Sequence, residues 1–368
     1  MKNIREILKR IQKKVELRRR LASFVSIITQ KEVLFGIGAL LLVGAIMILV
    51  FALTFDSRNS EGTVIENDDD AIRHPLTGEI IQDELDELPR VFGVMIENSS
   101  DAWPLSGLDD AFMVIEAPVE ANIPRFIAFF SEDQTVDKIG PVRSARPYYI
   151  DWNDGLQAVY AHVGGSPEAL DLISNVYQTL DLNQFWNGDY YYRENDARYA
   201  PHNVFTTSEM LNDAYTDAFD DVSETSYKLW SFTSDEPVQD PKSIMIDWTD
   251  GTTYDIGWMY QAETNNYLRF QGTKVMKMED GDIISANNIA IVATDIRVID
   301  NEGRRSVVTE GEGDALIVQN GEAYLARWKK SDHDDRLMFY TSNGYEISFN
   351  AGSTWIEIVS SLSQVEIE

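Results

Sequence analysis

The chain has 368 residues and no cysteine, which excludes disulfides, thiolate metal sites, a cysteine nucleophile and lipidation on cysteine. Its formal charge is −30, yet residues 1–32 hold ten Lys or Arg against three Glu, a local +7 that leaves −37 for residues 33–368. A body this acidic repels nucleic acid, so nucleic-acid binding is excluded as a function.

Residues 1–32 form a basic segment in which Ile4, Ile7, Leu8, Ile11 and Val15 recur at helical spacing. They read as an amphipathic helix on an anionic inner leaflet or as a topogenic tail. Val33 to Phe55 follow, 23 residues without a charge. At about 1.5 Å per residue they span roughly 34 Å, enough for one transmembrane helix. Cations before the span and acids after it place residues 1–32 in the cytoplasm and the bulk of the chain outside. The span is too long for a signal-peptide core, and Phe51-Ala52-Leu53-Thr54 is a poor cleavage site. Residues 56–74 read as an acidic tether.

From Arg90 the pattern becomes strand-like. Residues 91–97, 111–119, 125–131 and 156–163 are apolar runs bounded by turn residues, and Leu170, Ile173, Val176, Tyr177 and Leu180 recur at helix spacing. These elements predict an α+β or α/β unit over residues 75–236. The β-rich unit over 237–368 should be mostly antiparallel. Asp250-Gly251, Asp280-Gly281, Asn320-Gly321 and Asn343-Gly344 are hairpin signals there. Tyr254, Ile256, Trp258 and Tyr260 alternate, as do Tyr345, Ile347 and Phe349.

Three features offer chemistry. Arg125, Arg143 and Arg146 lie within a short span of an acidic body, and guanidinium forks suit phosphate or carboxylate. Glu97, Glu116 or Glu120 are the internal partners that would instead neutralise them. Gly164-Gly165-Ser166-Pro167 turns a strand into a helix, with Ser166 as N-cap, and could face an anion. His162 and His202 are candidate acids or bases beside it, although a satisfied structural role suits each. The four histidines form no ligand-spaced pair, so neither metal nor cofactor is expected. Asp332, Asp334 and Asp335 around His333 read as an exposed acidic loop, with cation binding as the alternative.

An ordered set of short motifs runs along the chain: Pro75-Leu76-Thr77-Gly78, Val94-Met95-Ile96-Glu97-Asn98, Ile115-Glu116-Ala117-Pro118-Val119-Glu120, and Ile139-Gly140-Pro141-Val142-Arg143-Ser144-Ala145-Arg146-Pro147-Tyr148. Gly164 to Leu170, Ala200-Pro201-His202-Asn203 and Gly352-Ser353-Thr354-Trp355-Ile356 continue it. The set resembles the YerB-like bacterial envelope proteins, a family of unknown function. The resemblance implies a two-part ectodomain and an envelope location. Family members are typically lipoproteins anchored through a cysteine, whereas here the apolar span takes that place. Before Arg125, Glu120-Ala121-Asn122-Ile123-Pro124 departs from the family's paired glycines and threonine.

The order of the arginines, the strand ending at His162 and the Gly-Gly turn also looks like the LytR-CpsA-Psr phosphotransferases. That likeness implies that Arg125, with Arg143 or Arg146, would hold the pyrophosphate of a lipid-linked glycan. Phe126 and Ser144 stand where that family has acids. The expected function is therefore binding of an anionic envelope ligand, a lipid-linked or polymeric phosphate. Its candidate residues are Arg125, Arg143, Arg146, Gly164, Gly165 and Ser166, with Glu116, Glu120 and Asn203 from the motifs. The alternatives are a glycopolymer phosphotransferase and a scaffold docking an envelope protein through Trp248, Trp258, Trp328 or Trp355.

Overall fold

Val91–Glu97 (β1) is buried along its whole length, as expected for a strand covered on both faces. Phe92, Val94 and Ile96 enter one core and Val91 and Met95 another, the two-residue alternation of a pleat. The computed structural model describes residues 71–196, 198–219, 225–248 and 253–368. The basic segment, the apolar span and the first part of the tether lie outside the described residues. No helix among the described residues is long and apolar enough to cross a membrane.

Nine further strands share one sheet with β1. They are β2 (Met113–Pro118), β3 (Pro124–Ser131), β4 (Val159–His162), β5 (Leu180–Asn183), β6 (Asn288–Ala293), β7 (Gly311–Gln319), β8 (Glu322–Lys330), β9 (Met338–Tyr340) and β10 (Thr354–Val359). Their order is β9-β8-β7-β6-β10-β2-β3-β1-β4-β5. The pairs β1–β4, β4–β5, β6–β10 and β2–β10 are parallel and the rest antiparallel. Residues before and after 237 are thus joined at the β2–β10 seam, where Met113 faces Thr354 and Glu116 faces Glu357. The first half is mixed α/β and the second mostly antiparallel, as the pattern predicts.

Helix α1 (Pro147–Asp154) packs on one face of the sheet with Tyr148, Tyr149 and Trp152. On the other face lie Leu211, Ala214 and Tyr215 of α3 (Ser208–Ala218). A second, antiparallel sheet of residues 244–246, 256–261, 266–271, 274–275, 285–286 and 365–367 also covers that face. The result is three layers. Gly93 matters here: a Cβ at that position would overlap Asn153 Oδ1, so α1 sits directly against β1.

One local expectation changes. The helix from Pro167 is regular only over Pro167–Asp171 (α2) and continues as a π-helical turn, Leu172–Val176. Leu180 belongs to β5 and Val176 is largely exposed. An apolar residue shared by two short elements simulated one longer period. At Asn320-Gly321 the hairpin is as expected. Gln319 faces Glu322, and φ is +56° at Asn320 and +79° at Gly321, a two-residue turn that needs two left-handed residues. Asp250-Gly251 lies outside the described residues. Trp258, Trp328 and Trp355 are core side chains, and Trp248 packs against the core, so these rings offer no free docking face.

Candidate functional site

Glu97, His162 and Asn183 close the parallel strands β1, β4 and β5 at their carboxyl ends. That edge is where open α/β sheets take ligands. Residues 139–146 lie across it: Glu97 N–H donates to Pro141 O at 3.0 Å, Arg143 N–H to Met95 O at 2.8 Å, and Ala145 N–H to Gly164 O at 2.9 Å. Arg125, opening β3, pairs in register with Glu97. The backbone therefore brings Arg125, Arg143 and Arg146 together.

Two of the three heads meet glutamates. Arg143 Nε lies 3.2 Å from Glu97 Oε1. The buried Glu97 also accepts from Ser99 Oγ at 2.9 Å and holds His202 Nδ1 at 2.9 Å. Arg146 donates through Nε and Nη2 to the two oxygens of Glu120, each at 2.8 Å. Burial alone would raise the Glu120 carboxyl, but the Arg146 bonds and charge outweigh it and hold the group below its ordinary value. Arg125 donates to Ser144 O at 2.7 Å and belongs to no ion pair among the described residues. Burial, with the Arg146 and Arg143 charges beside it, brings Arg125 down to about 10, still protonated at neutral pH.

Arg146 also lines a cleft of about 230 Å³ with Pro147, Ser166, Pro167, Arg304 and Arg305. Glu168 and Asp300 stand on its wall. Arg304 and Arg305 come from the hairpin of Ile296–Val298 and Arg305–Val307. Arg304 bonds Asp300 at 2.6 Å, and Arg305 donates to Val119 O at 3.3 Å. The dipeptide Arg304-Arg305 was readable in the sequence, but nothing there placed it 160 residues upstream beside Arg146. Guanidinium forks on a cleft of this size are donors of the kind that suit a small anion such as phosphate or pyrophosphate.

Most of the other candidates separate from this cleft, and of the glycine turn only Ser166 lines it. His162 is fully buried, with Nδ1 2.7 Å from Gly164 O and Nε2 2.7 Å from Asp181 Oδ1. Both nitrogens face acceptors, so His162 has no nitrogen left for a substrate. Gly164 N–H donates to Asn183 Oδ1 at 3.1 Å and Ser166 N–H to Ala145 O at 3.2 Å. The turn therefore spends those amides internally instead of aiming them outward; Gly165 bridges Ala145, and Ser166 caps α2 through Ala169. Asn203 is buried between Arg193 and Asn195. His202 keeps some exposure beside Glu97.

Glu116 lies elsewhere, in a sealed network at the β2–β10 seam. Arg269 reaches Glu116 Oε2 at 2.5 Å, Trp258 donates to Glu357 Oε1 at 3.0 Å, and Asn98 and Gln271 exchange amide bonds at 3.0 and 3.1 Å. The rings of Phe126, Trp258 and Trp355 surround the guanidinium. Burial and the charge of Glu116 push the Glu357 carboxyl well above its ordinary range, and burial raises Glu116 despite Arg269.

In the His333 loop, the carbonyls of Asp332, His333 and Asp335 hold the buried Lys330 ammonium at 2.5–2.7 Å, so that loop already encloses a cation. Asp109, Asp280 and Asp282 form a second acidic group, and burial with neighbouring aspartates raises Asp109 to about 6.

Residues 76–222 match the N-terminal domain, and 244–356 the C-terminal domain, of the protein family of unknown function DUF3048. The chain belongs to the DUF3048 family. "Putative lipoprotein YerB" of Bacillus subtilis (strain 168) is 29% identical over 299 residues, 80% of this chain and 88% of that protein. The crystal structure of the YerB protein from Bacillus subtilis aligns with a TM-score of 0.71 at 28% identity, over 81% of this chain and 99% of that one. Every strand of the ten-stranded sheet falls within the two matched DUF3048 domains or within three residues of their ends. The same holds for Arg125, Arg143, Arg146, Arg304 and Arg305.

Proposed function

We propose that this DUF3048 protein sits in the bacterial envelope, anchored by the span of residues 33–55 with its acidic body outside the cytoplasm, and holds a phosphate-bearing envelope ligand in the arginine cleft. The naming of YerB as a lipoprotein supports the envelope location, and the charge asymmetry about the span supports its direction. The single observation behind ligand binding is the convergence of Arg146, Arg304 and Arg305, from two distant segments, on one cleft. Arg125 stands beside Arg146, where its charge also acts on Glu120 while its guanidinium donates to Ser144 O. An entering phosphate would take over guanidinium donors now engaged by Glu120 and Asp300.

Binding, rather than phosphotransfer, is the reading the site favours. A transferase base at His162 has no geometric support, because both ring nitrogens are engaged. The test is calorimetric titration of the full-length chain in detergent with an isoprenyl pyrophosphate. The wild type should bind it, and Arg146→Ala combined with Arg305→Ala should weaken binding at least tenfold. Equal affinity in both proteins would remove the cleft from the site.

A further inference from the structure

The turn at Gly164 has a second neighbour. Behind β5, Phe185 and Trp186 project from the surface, the first 63% and the second 80% exposed. Their ring centroids are 6.5 Å apart. Large exposed rings on a polar, acidic surface call for a reason.

The backbone that carries these rings is fixed. Asn183 Oδ1 accepts from the amides of Gly164, at 3.1 Å, and Phe185, at 3.2 Å. Asn183 O accepts from the amides of Trp186 and Asn187, each at 3.0 Å, and from Asn187 Nδ2 at 3.2 Å. One asparagine therefore fixes both the aromatic turn and the glycine turn. Gly164 has φ of +61°, and a Cβ there would come within 2.8 Å of the Phe185 ring. Two residues further on, Ser166 and Pro167 line the arginine cleft. The aromatic pair and the cleft thus flank the same short turn.

The charge around the pair limits what could cover it. Residues 177–192 contain Asp181 and Asp189 and no Lys or Arg. Interfacial anchors that enter anionic membranes carry basic residues within their own segment, and this one has none before Arg193. A sugar suits it better. The flat face of an aromatic ring matches the C–H face of a pyranose, and sugar hydroxyls tolerate neighbouring carboxylates.

We infer that Phe185 and Trp186 form a stacking platform for sugar rings next to the arginine cleft, so that the ligand is a phosphorylated glycan. This rests on the anion-binding reading above and names the ligand's chemical class. The phosphate would lie among the arginines and the attached saccharide would cross the Gly164 turn onto the rings.

The experiment uses the full-length chain in detergent, with three calorimetric probes: inorganic pyrophosphate, a neutral β-1,4-linked N-acetylglucosamine tetramer, and that tetramer bearing a 1-pyrophosphate. Because Trp186 is exposed, Trp186→Ala should fold with an unchanged melting temperature. It should bind the pyrophosphorylated tetramer at least tenfold more weakly, while pyrophosphate affinity stays within twofold. Equal affinity of variant and wild type for the pyrophosphorylated tetramer overturns the platform. So does a matching loss for pyrophosphate alone. In nanodiscs of brominated phosphatidylglycerol, a quenched emission component that Trp186→Ala lacks would make the membrane the occupant and overturn it too. If the wild type ignores pyrophosphate but binds the neutral tetramer in a Trp186-dependent way, the cleft reading fails and the platform stands.

Discussion

Two groups of Arg and Glu serve this protein in opposite ways. At the β2–β10 seam, Glu116, Glu357 and Arg269 have no exposed surface, and one guanidinium faces two carboxyls. At the sheet edge, Arg146 and Glu120 form a forked pair that retains partial contact with solvent. In the seam, desolvation dominates and drives the carboxyls up. In the cleft, bonding and charge dominate and Glu120 goes down. The same residue types therefore lock two halves of a sheet in one place and, in the function proposed above, give way to a ligand in the other. Burial, not composition, decides which.

The largest expected effect comes from breaking the seam. Arg269→Met leaves two buried carboxyls without their cation and should cost about 3–5 kcal/mol, read as a lower urea midpoint. A loss below about 1 kcal/mol would mean that the seam is hydrated. Next comes Gly93→Ala, where the added methyl meets Asn153 Oδ1 beneath α1. Overpacking of that kind costs about 1–3 kcal/mol, and an unchanged midpoint would show that α1 can lift away.

The pH dependence of the two groups should run in opposite directions. Glu357 and Glu116 are raised in the fold, so their contribution is complete below the unfolded carboxyl value of 4.5 and is lost as pH rises above it. Glu357→Gln should flatten that decline above pH 4.5 in denaturation midpoints. A slope unchanged by the substitution would place the titration elsewhere, Asp109 and Asp151 at about 6 being the next groups. Glu120 is lowered, so its contribution is present above 4.5 and lost as pH falls through its depressed value. The smallest effect is Arg146→Gln, which breaks a partly exposed pair for about 1 kcal/mol or less. It should remove the acid-side loss while leaving the neutral-pH fold intact.

Much of the fold was legible because its strands alternate or run fully apolar: β1 was bounded by pattern at both ends, and Asn320-Gly321 named its own turn. Helix α1 was not legible. Every side chain from Tyr148 to Asp154 is buried, so no polar face marks the helical period. The arginines of the 125–146 span were visible by local density, and so were Glu97 and Glu120 as their partners. Arg304 and Arg305 were not, since their place in the cleft depends on a hairpin returning across 160 residues. Glu116 was grouped with the arginines because it shares a motif with Glu120. Strand alternation sends it to the seam, where Arg269 and Glu357, which no local density or motif marks in the sequence, are its partners.

Most turns on whether an anion occupies the arginine cleft, and a crystal structure grown with pyrophosphate would test that directly. We expect its oxygens within hydrogen-bonding distance of Arg146 and Arg305, with the Glu120 carboxylate turned away from Arg146. A cleft without bound anion at saturating pyrophosphate, and the Arg146–Glu120 fork still closed at 2.8 Å, would contradict it.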